Sequence, residues 1–355
     1  MIKNKTYREA LQKVIPEIVI RDGSILVTGA SGLIGSCLID LLMLANDQGR
    51  DFEIYALGRN AEKLRNRFSA FENSPRLHFL EQDVREPLDS SLRLDYIIHG
   101  ASNADPHNYA LYPAETMLIN IVGSENVLEY CKCHVETKAI MLSTFEVYGN
   151  TEKDVYQETD YGAIDINLLR SCYPESKRCV ELLTRSYVDE YKINAVIGRL
   201  CSIYGPTMTK DDSKAHAQFI RNVIHGENVI LKSKGEQRRT YCYVVDAVTA
   251  ILFGLERGDG GEVYNISYEG AVVSIAEVAQ TLSDIAHVRV IYNQPDDIEK
   301  KGFSNPQNCV LDNNKLKSLG WVGNYDIKRG MSECVKILKS INNDKERKIK
   351  SPFTK

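Results

Sequence analysis

Apolar runs recur along the first two hundred residues, and most are followed by a stretch with helical periodicity. SILVTGA (24–30) reads as a buried strand, and GLIGSCLIDLLMLAN (32–46) as a helix that is apolar nearly all round. EIYALGR (53–59) is the next strand, followed by a polar helix over 60–71. LHFLEQDV (77–84) and LDYIIHGAS (94–102) are further strands, and a helix over about 114–133 leads into AIMLSTFEVYG (139–149). NAVIGRLCSIYGP (194–206) is a sixth strand with its exit loop. This alternation predicts βαβ units and a doubly wound parallel sheet, an α/β fold. Beyond about residue 205 the rhythm loosens into short strands, loops and helices, as expected of a smaller α/β lobe on the carboxyl edge of the sheet. The expected division is a helical arm over 1–21 and a dinucleotide-binding unit over 22–204 with a return segment at about 240–266. A second lobe spans 205–239 and 267–345, and a polar tail that frays occupies 346–355.

Composition narrows the function. The net charge of −4 over 355 residues gives no reason to expect a nucleic-acid surface. The nine cysteines have no paired C-x-x-C spacing. Cys131, Cys133 and His134 cluster on a helical pattern, but no second cluster completes a ligand set, so no metal site is expected. Scattered thiols fit a reducing compartment. The stretch MIKNKTYREA lacks the apolar core of a signal peptide, and no run approaches the ~20 apolar residues of a membrane span. The expectation is a soluble, cytoplasmic protein that meets no membrane.

The loop TGASGLIG (28–35) places Gly29, Gly32 and Gly35 between a strand and a helix. Glycines there permit a tight turn and close approach to a pyrophosphate, and the helix N-terminus offers free N–H groups to it. In this context the loop predicts a Rossmann-type site for NAD or NADP, with Ser31, Leu33 and Ile34 beside the glycines. Where an acidic ribose ligand would stand at the end of the second strand, the chain has Gly58-Arg59. Arg59 suits a 2′-phosphate or a stack on adenine, which leaves the two cofactors open. Asp83 and Val84 are placed to meet the adenine edge, and Ala101 and Ser102 close the fourth strand near the cofactor.

RSCYPESKR (170–178) puts Tyr173 four residues before Lys177, on one face if both are helical. Pro174 favours a helix that starts there. Tyrosine has a pKa of ~10 and is a poor base at neutral pH. A nearby ammonium and a positively charged nicotinamide favour the phenolate; a drop of ~3 units corresponds to ~4 kcal/mol. Ser143 and Thr144 end the preceding strand, and Glu146 follows.

These stretches together resemble the extended short-chain dehydrogenase/reductases, in the nucleotide-sugar epimerase/dehydratase/decarboxylase branch. The resemblance runs from about 25 to 321 through TGASGLIG, IIHGAS, STFEVYG, YPESK, GRLCSIYGP, RRTYCYVVDAV, EVYNIS and KLKSLGW. It implies a cofactor retained through the cycle, oxidation of the sugar at C4, Thr144 bonded to the C4 hydroxyl, and Tyr173 as its base. It implies that Lys177 holds the ribose and tunes Tyr173, that Asn120 supports the helix near the cofactor, and that Ser143 lines the cofactor site. Asn103 would face the sugar, and Arg239 and Lys214 would meet the diphosphate. It also implies a homodimer through the helices at about 114–133 and 173–191, with Val127, Leu182 and Leu183 as core or interface residues.

RSCYPESKR is closest to UDP-glucuronate decarboxylases, so decarboxylation is the first expectation. The alternatives are 4,6-dehydration with Glu146 as C5 base, 4-epimerisation, and, more remotely, a non-catalytic dinucleotide sensor. Phe145 departs from the family, because relatives carry an acid or a serine at that position. It is expected to dry the pocket wall, raise the pKa of Glu146 and let that residue hold a proton.

Overall fold

The computed structural model describes residues 1–295, 297, 300 and 308–350. The apolar runs become β1 (Gly23–Thr28), β2 (Phe52–Gly58), β3 (Leu77–Glu81), β4 (Tyr96–His99), β5 (Lys138–Thr144), β7 (Asn194–Leu200) and β11 (Val263–Ile266). They form one sheet in the order β11-β7-β5-β4-β1-β2-β3. Every neighbouring pair is parallel.

These strands are apolar along their whole length because both faces of the sheet are covered. Ile25, Val27, Ile98, Ile140 and Leu142 face one core. Leu26, Ile97, Ala139 and Met141 point the other way into a second. Helices α2 (Leu33–Asn46) and α8 (Val244–Arg257) cover the first face, and α5 (Pro113–Cys133) and α6 (Cys172–Tyr191) pack side by side over the second. Strand order reverses beside β1, whose neighbours are β2 and β4. A crevice at the carboxyl ends of an open α/β sheet opens at such a reversal.

The smaller lobe is built from short pieces. Strands β8 (Ser202–Tyr204), β10 (Arg238–Tyr243) and β12 (Val272–Ser274) form a three-stranded sheet. Strand β9 (Val229–Leu231) pairs with β13 (Val290–Tyr292), and β6 (Val155–Tyr156) with β14 (Val310–Leu311). Helices α7 (Ala215–Ile224) and α9 (Ile275–Ala286) pack against each other on this side. Short helices α3 (Ala61–Arg67) and α4 (Pro106–Leu111) flank the sheet and the crevice.

Three expectations change. Helix α1 (Lys5–Val14) is no separate arm: Tyr7, Ala10, Leu11 and Val14, spaced i, i+3, i+4 and i+7, are all buried in the main core. The Tyr7 hydroxyl donates to Asp40 of α2 at 3.0 Å, and Arg67 pairs with the same buried carboxylate at 2.6 Å. Burying a carboxylate is costly without such partners. The final helix, Ile327–Lys350, runs into the segment expected to fray, and 351–355 lie outside the described residues. Helix α6 begins at Cys172 rather than Pro174, so Tyr173 lies in its first turn. Proline is tolerated there because the first N–H groups of a helix have no intrahelical partner.

Val127 is fully buried and belongs to the core, whereas Leu182 on α6 is 68% exposed. No described helix is long and apolar enough to cross a membrane.

Candidate active site

A cleft of about 1270 Å³ opens over the carboxyl ends of the sheet and is walled by the smaller lobe. Its cofactor end is made chiefly by backbone. Gly29 has φ +68°, and a Cβ there would stand 2.8 Å from the Gly100 carbonyl oxygen. A Cβ on Gly35 would meet the Gly29 oxygen at 2.7 Å. Only glycine lets β1 and the start of α2 come this close. Gly32 caps α2 without a side-chain bond, which leaves the first N–H groups of the helix for an anion. The loop therefore fits the pyrophosphate of a dinucleotide, and Ser31, Leu33 and Ile34 line the same wall.

Thr28 ties this loop to the next strand. Its hydroxyl accepts from the Gly100 and Ala101 N–H groups at 3.1 Å and meets His99 at 2.9 Å. Burial, with the Lys177 charge nearby, pushes His99 down to about 3, so the ring stays neutral between Thr28 and Ser124. Ser102 donates to Asn120 at 2.7 Å, Asn120 donates to Ser176 at 2.9 Å, and Ser176 donates to the Tyr173 carbonyl at 2.8 Å. Asn120 thus fastens the first turn of α6 to the end of β4. Val84 closes on Gly123 of α5, where a Cβ would meet it at 2.7 Å.

The two charged residues read from the sequence at the adenine end are already engaged. Arg59 pairs with Glu115 at 3.2 Å, and Asp83 is forked by Arg85 at 2.7 Å. The bonds from Arg85 hold Asp83 below the usual carboxylate range. Both residues still line the cleft.

Thr144, Glu146, Tyr173 and Lys177 also line the cleft. Lys177 is buried and donates to the Leu142 carbonyl at 2.9 Å. Burial pushes it down to about 8, against a smaller upward pull from Glu181. Tyr173 differs from expectation. Burial raises its pKa, the negative charge of Glu146 raises it further, and a bond with Thr144 and the Arg170 charge offset only part of this. The Lys177 ammonium is directed at the Leu142 carbonyl. The phenol keeps its proton in this arrangement.

Glu146 is already paired. Arg170 Nη1 lies 2.7 Å from one carboxylate oxygen, and Nη2 donates to the other at 2.9 Å. One guanidinium thus grips both oxygens, the geometry of a strong bidentate pair. Arg170 lies over the Tyr109 ring at 5.0 Å, and Tyr109 stacks on Tyr173 at 4.5 Å with 12° between the planes. Phe145, the unusual residue, lies under Arg239, whose guanidinium is 5.7 Å from the ring.

Ser143 turns to a buried network. It donates to Glu181 at 2.5 Å, and Arg199 forks Glu181 at 2.7 Å. On the lobe side, Lys214 pairs with Asp212 at 3.4 Å, and Asp105 accepts from the Ser213 N–H at 2.7 Å. His216 lines the cleft there, and burial pushes it down to about 4 against the pull of Asp212. Asn103 lines the neighbouring wall.

Sequence reasoning missed Arg170, Glu181 and His216, whereas Tyr109 was expected on the loop that faces the sugar. Arg170 stood in a quoted motif, but its partner lies 24 positions away on another element.

The sequence profile of the NAD dependent epimerase/dehydratase family matches residues 25–267. UDP-glucuronic acid decarboxylase 6 of Arabidopsis thaliana is 31% identical over 312 residues, 86% of either chain. The solved UDP-glucose 4-epimerase of Thermotoga maritima, with UDP-glucose, superposes with a TM-score of 0.75 at 25% identity, covering 90% of this chain and 99% of that one. A Bacillus cereus UDP-glucuronic acid 4-epimerase in complex with NAD and a fluorinated UDP-glucuronic acid gives 0.77 at 23% identity, over 90% and 99%. With the glycine cradle and the Thr144, Tyr173 and Lys177 set in one cleft, these matches make the chain an enzyme of the NAD-dependent epimerase/dehydratase family.

Proposed function

We propose that the chain oxidises C4 of a nucleotide-linked hexuronic acid and removes its C6 carboxyl group, with UDP-glucuronate as substrate. The observation that carries this reading is Glu146, gripped on both side-chain oxygens by Arg170 next to an inert Phe145. Expulsion of water from C6 needs a proton donor at that carbon. Phe145 has no proton to give, and both side-chain oxygens of Glu146 are engaged by Arg170. Decarboxylation needs no such donor. The identity to a decarboxylase points the same way.

When bound, the cofactor accepts the C4 hydride, returns it at the end of the cycle and adds positive charge beside the sugar. That charge offsets the burial and the Glu146 charge that raise the Tyr173 pKa. Tyr173 takes the C4 hydroxyl proton while Thr144 bonds the same oxygen. The resulting C4 ketone is β to the C6 carboxylate. The C5–C6 bond breaks, its electron pair passes to the C4 oxygen, and carbon dioxide leaves. Tyr173, now protonated, and Thr144 stabilise that oxyanion. Protonation at C5 by water leaves a 4-keto pentose, and return of the hydride to C4, with the Tyr173 proton passing back to the C4 oxygen, gives the pentose.

Mass spectrometry of products from UDP-glucuronate tests the reading. A product lighter by carbon dioxide is expected. An unchanged mass would replace decarboxylation with 4-epimerisation, and loss of water would replace it with dehydration.

A further inference from the structure

We propose that Arg170 exchanges partners: it forks Glu146 in the resting cleft and takes the C6 carboxylate of the sugar on binding, which frees Glu146 to face the sugar. This rests on the decarboxylation reading and adds to it the residue that recognises the carboxylate.

Three observations carry it. First, Arg170 is layered on Tyr109, which is layered on Tyr173, the residue that must reach C4. C6 is two bonds from C4, so a cation one ring away from Tyr173 lies within the span of one sugar. Second, the pairing with Glu146 engages only the two Nη atoms, while the Nε of Arg170 is buried with no hydrogen-bond partner among the described residues. Guanidinium has five N–H donors in a fixed fork. An incoming carboxylate offers the same geometry as Glu146 and can also engage Nε. Third, a substrate carboxylate brings a second anion next to Glu146. Arg239 lies over the Phe145 ring and supplies a second guanidinium on that wall.

The exchange has a consequence for the cycle. Once carbon dioxide has left, the product has no carboxylate to hold, and Arg170 returns to Glu146. Product release and reset of the site are then one event.

The test measures binding of UDP-glucuronate and UDP-glucose to the NAD-loaded protein by titration calorimetry, with every form, wild type included, carrying Tyr173→Phe so that the uronate is not consumed. Removing one partner of a buried, hydrogen-bonded charge pair typically weakens binding by about thirtyfold or more. Wild type is expected to prefer the uronate by that order. Arg170→Met should abolish the preference and change UDP-glucose affinity by less than about threefold. The double variant Arg170→Met/Glu146→Gln should remain without the preference. Recovery of the preference in the double variant would overturn the proposal, because Arg170 would then only neutralise Glu146. Glu146→Gln alone keeps Arg170 and should bind the uronate at least as tightly as wild type; weaker binding would also overturn it. A wild type with no preference would sink the decarboxylation reading itself, whereas a preference that survives Arg170→Met would sink only the role of Arg170.

Discussion

The two ends of the cleft are made of different material. At the cofactor end, recognition comes from the backbone: Gly29 in a left-handed turn, Gly35 against its carbonyl and the open N-terminus of α2. At the other end, where we propose the sugar binds, the wall carries charged side chains that are already paired, Glu146 with Arg170 and Lys214 with Asp212. A backbone cradle has one shape and suits one invariant group. Paired side chains can trade partners, so that end can differ among enzymes that share the cradle. The difference places specificity in ion pairs and cofactor binding in chain geometry.

The largest break in this comparison is expected at Tyr173, where the two ends meet. Tyr173→Phe keeps the ring that stacks on Tyr109 and removes the hydroxyl. Turnover should fall by ~10² or more, the scale of general-base loss, while calorimetry shows cofactor binding nearly unchanged. Turnover near wild type would remove Tyr173 from the chemistry.

A smaller effect is expected at the backbone end. Gly29→Ala puts a Cβ 2.8 Å from the Gly100 oxygen at φ +68°. Such strain costs about 1–3 kcal/mol. Thermal melts should show a lower transition and a smaller rise on adding NAD. An undiminished rise would mean that the cradle does not carry the cofactor.

The smallest effect is expected at Arg59, whose pair with Glu115 is more than one-third exposed on both sides. Exposed pairs contribute about 0–1 kcal/mol, so Arg59→Ala should leave the melt almost unmoved. Titration with the two cofactors should show NADP weakened about threefold more than NAD if the guanidinium meets a 2′-phosphate. Equal losses would assign it to stacking on adenine.

The same division decides what could be read from the chain. The parallel sheet was legible because strands buried on both faces are continuously apolar, and β1, β4 and β5 show this. The cradle was legible because only glycine tolerates its contacts. Tyr173 and Lys177 were legible because their spacing is helical. Arg170 and Glu146 were each visible, but a pairing between separate elements leaves no periodic trace, so the partner of Glu146 went unread. The bond from Ser143 to Glu181 went unread for the same reason, since Glu181 and its partner Arg199 come from α6 and β7, although Ser143 also lines the cleft. The burial of α1 did have a signal in the spacing of Tyr7, Ala10, Leu11 and Val14, and the short polar stretches around it concealed it.

Helix α1 also bears on how the chain is made. It packs on α2, on α8 and on the final helix, and Glu17 just beyond it accepts from Asn324, 307 positions away. Contacts this distant in sequence close the largest loops and form late. During synthesis α2 can cover Tyr7 early, but the contacts of α1 with the last helix wait until that helix is available, while the βαβ units between them assemble locally. The nucleotide cradle is then framed early and locked from behind last, so a ribosome-bound chain halted before Asn324 would hold a formed sheet with an open rear seam.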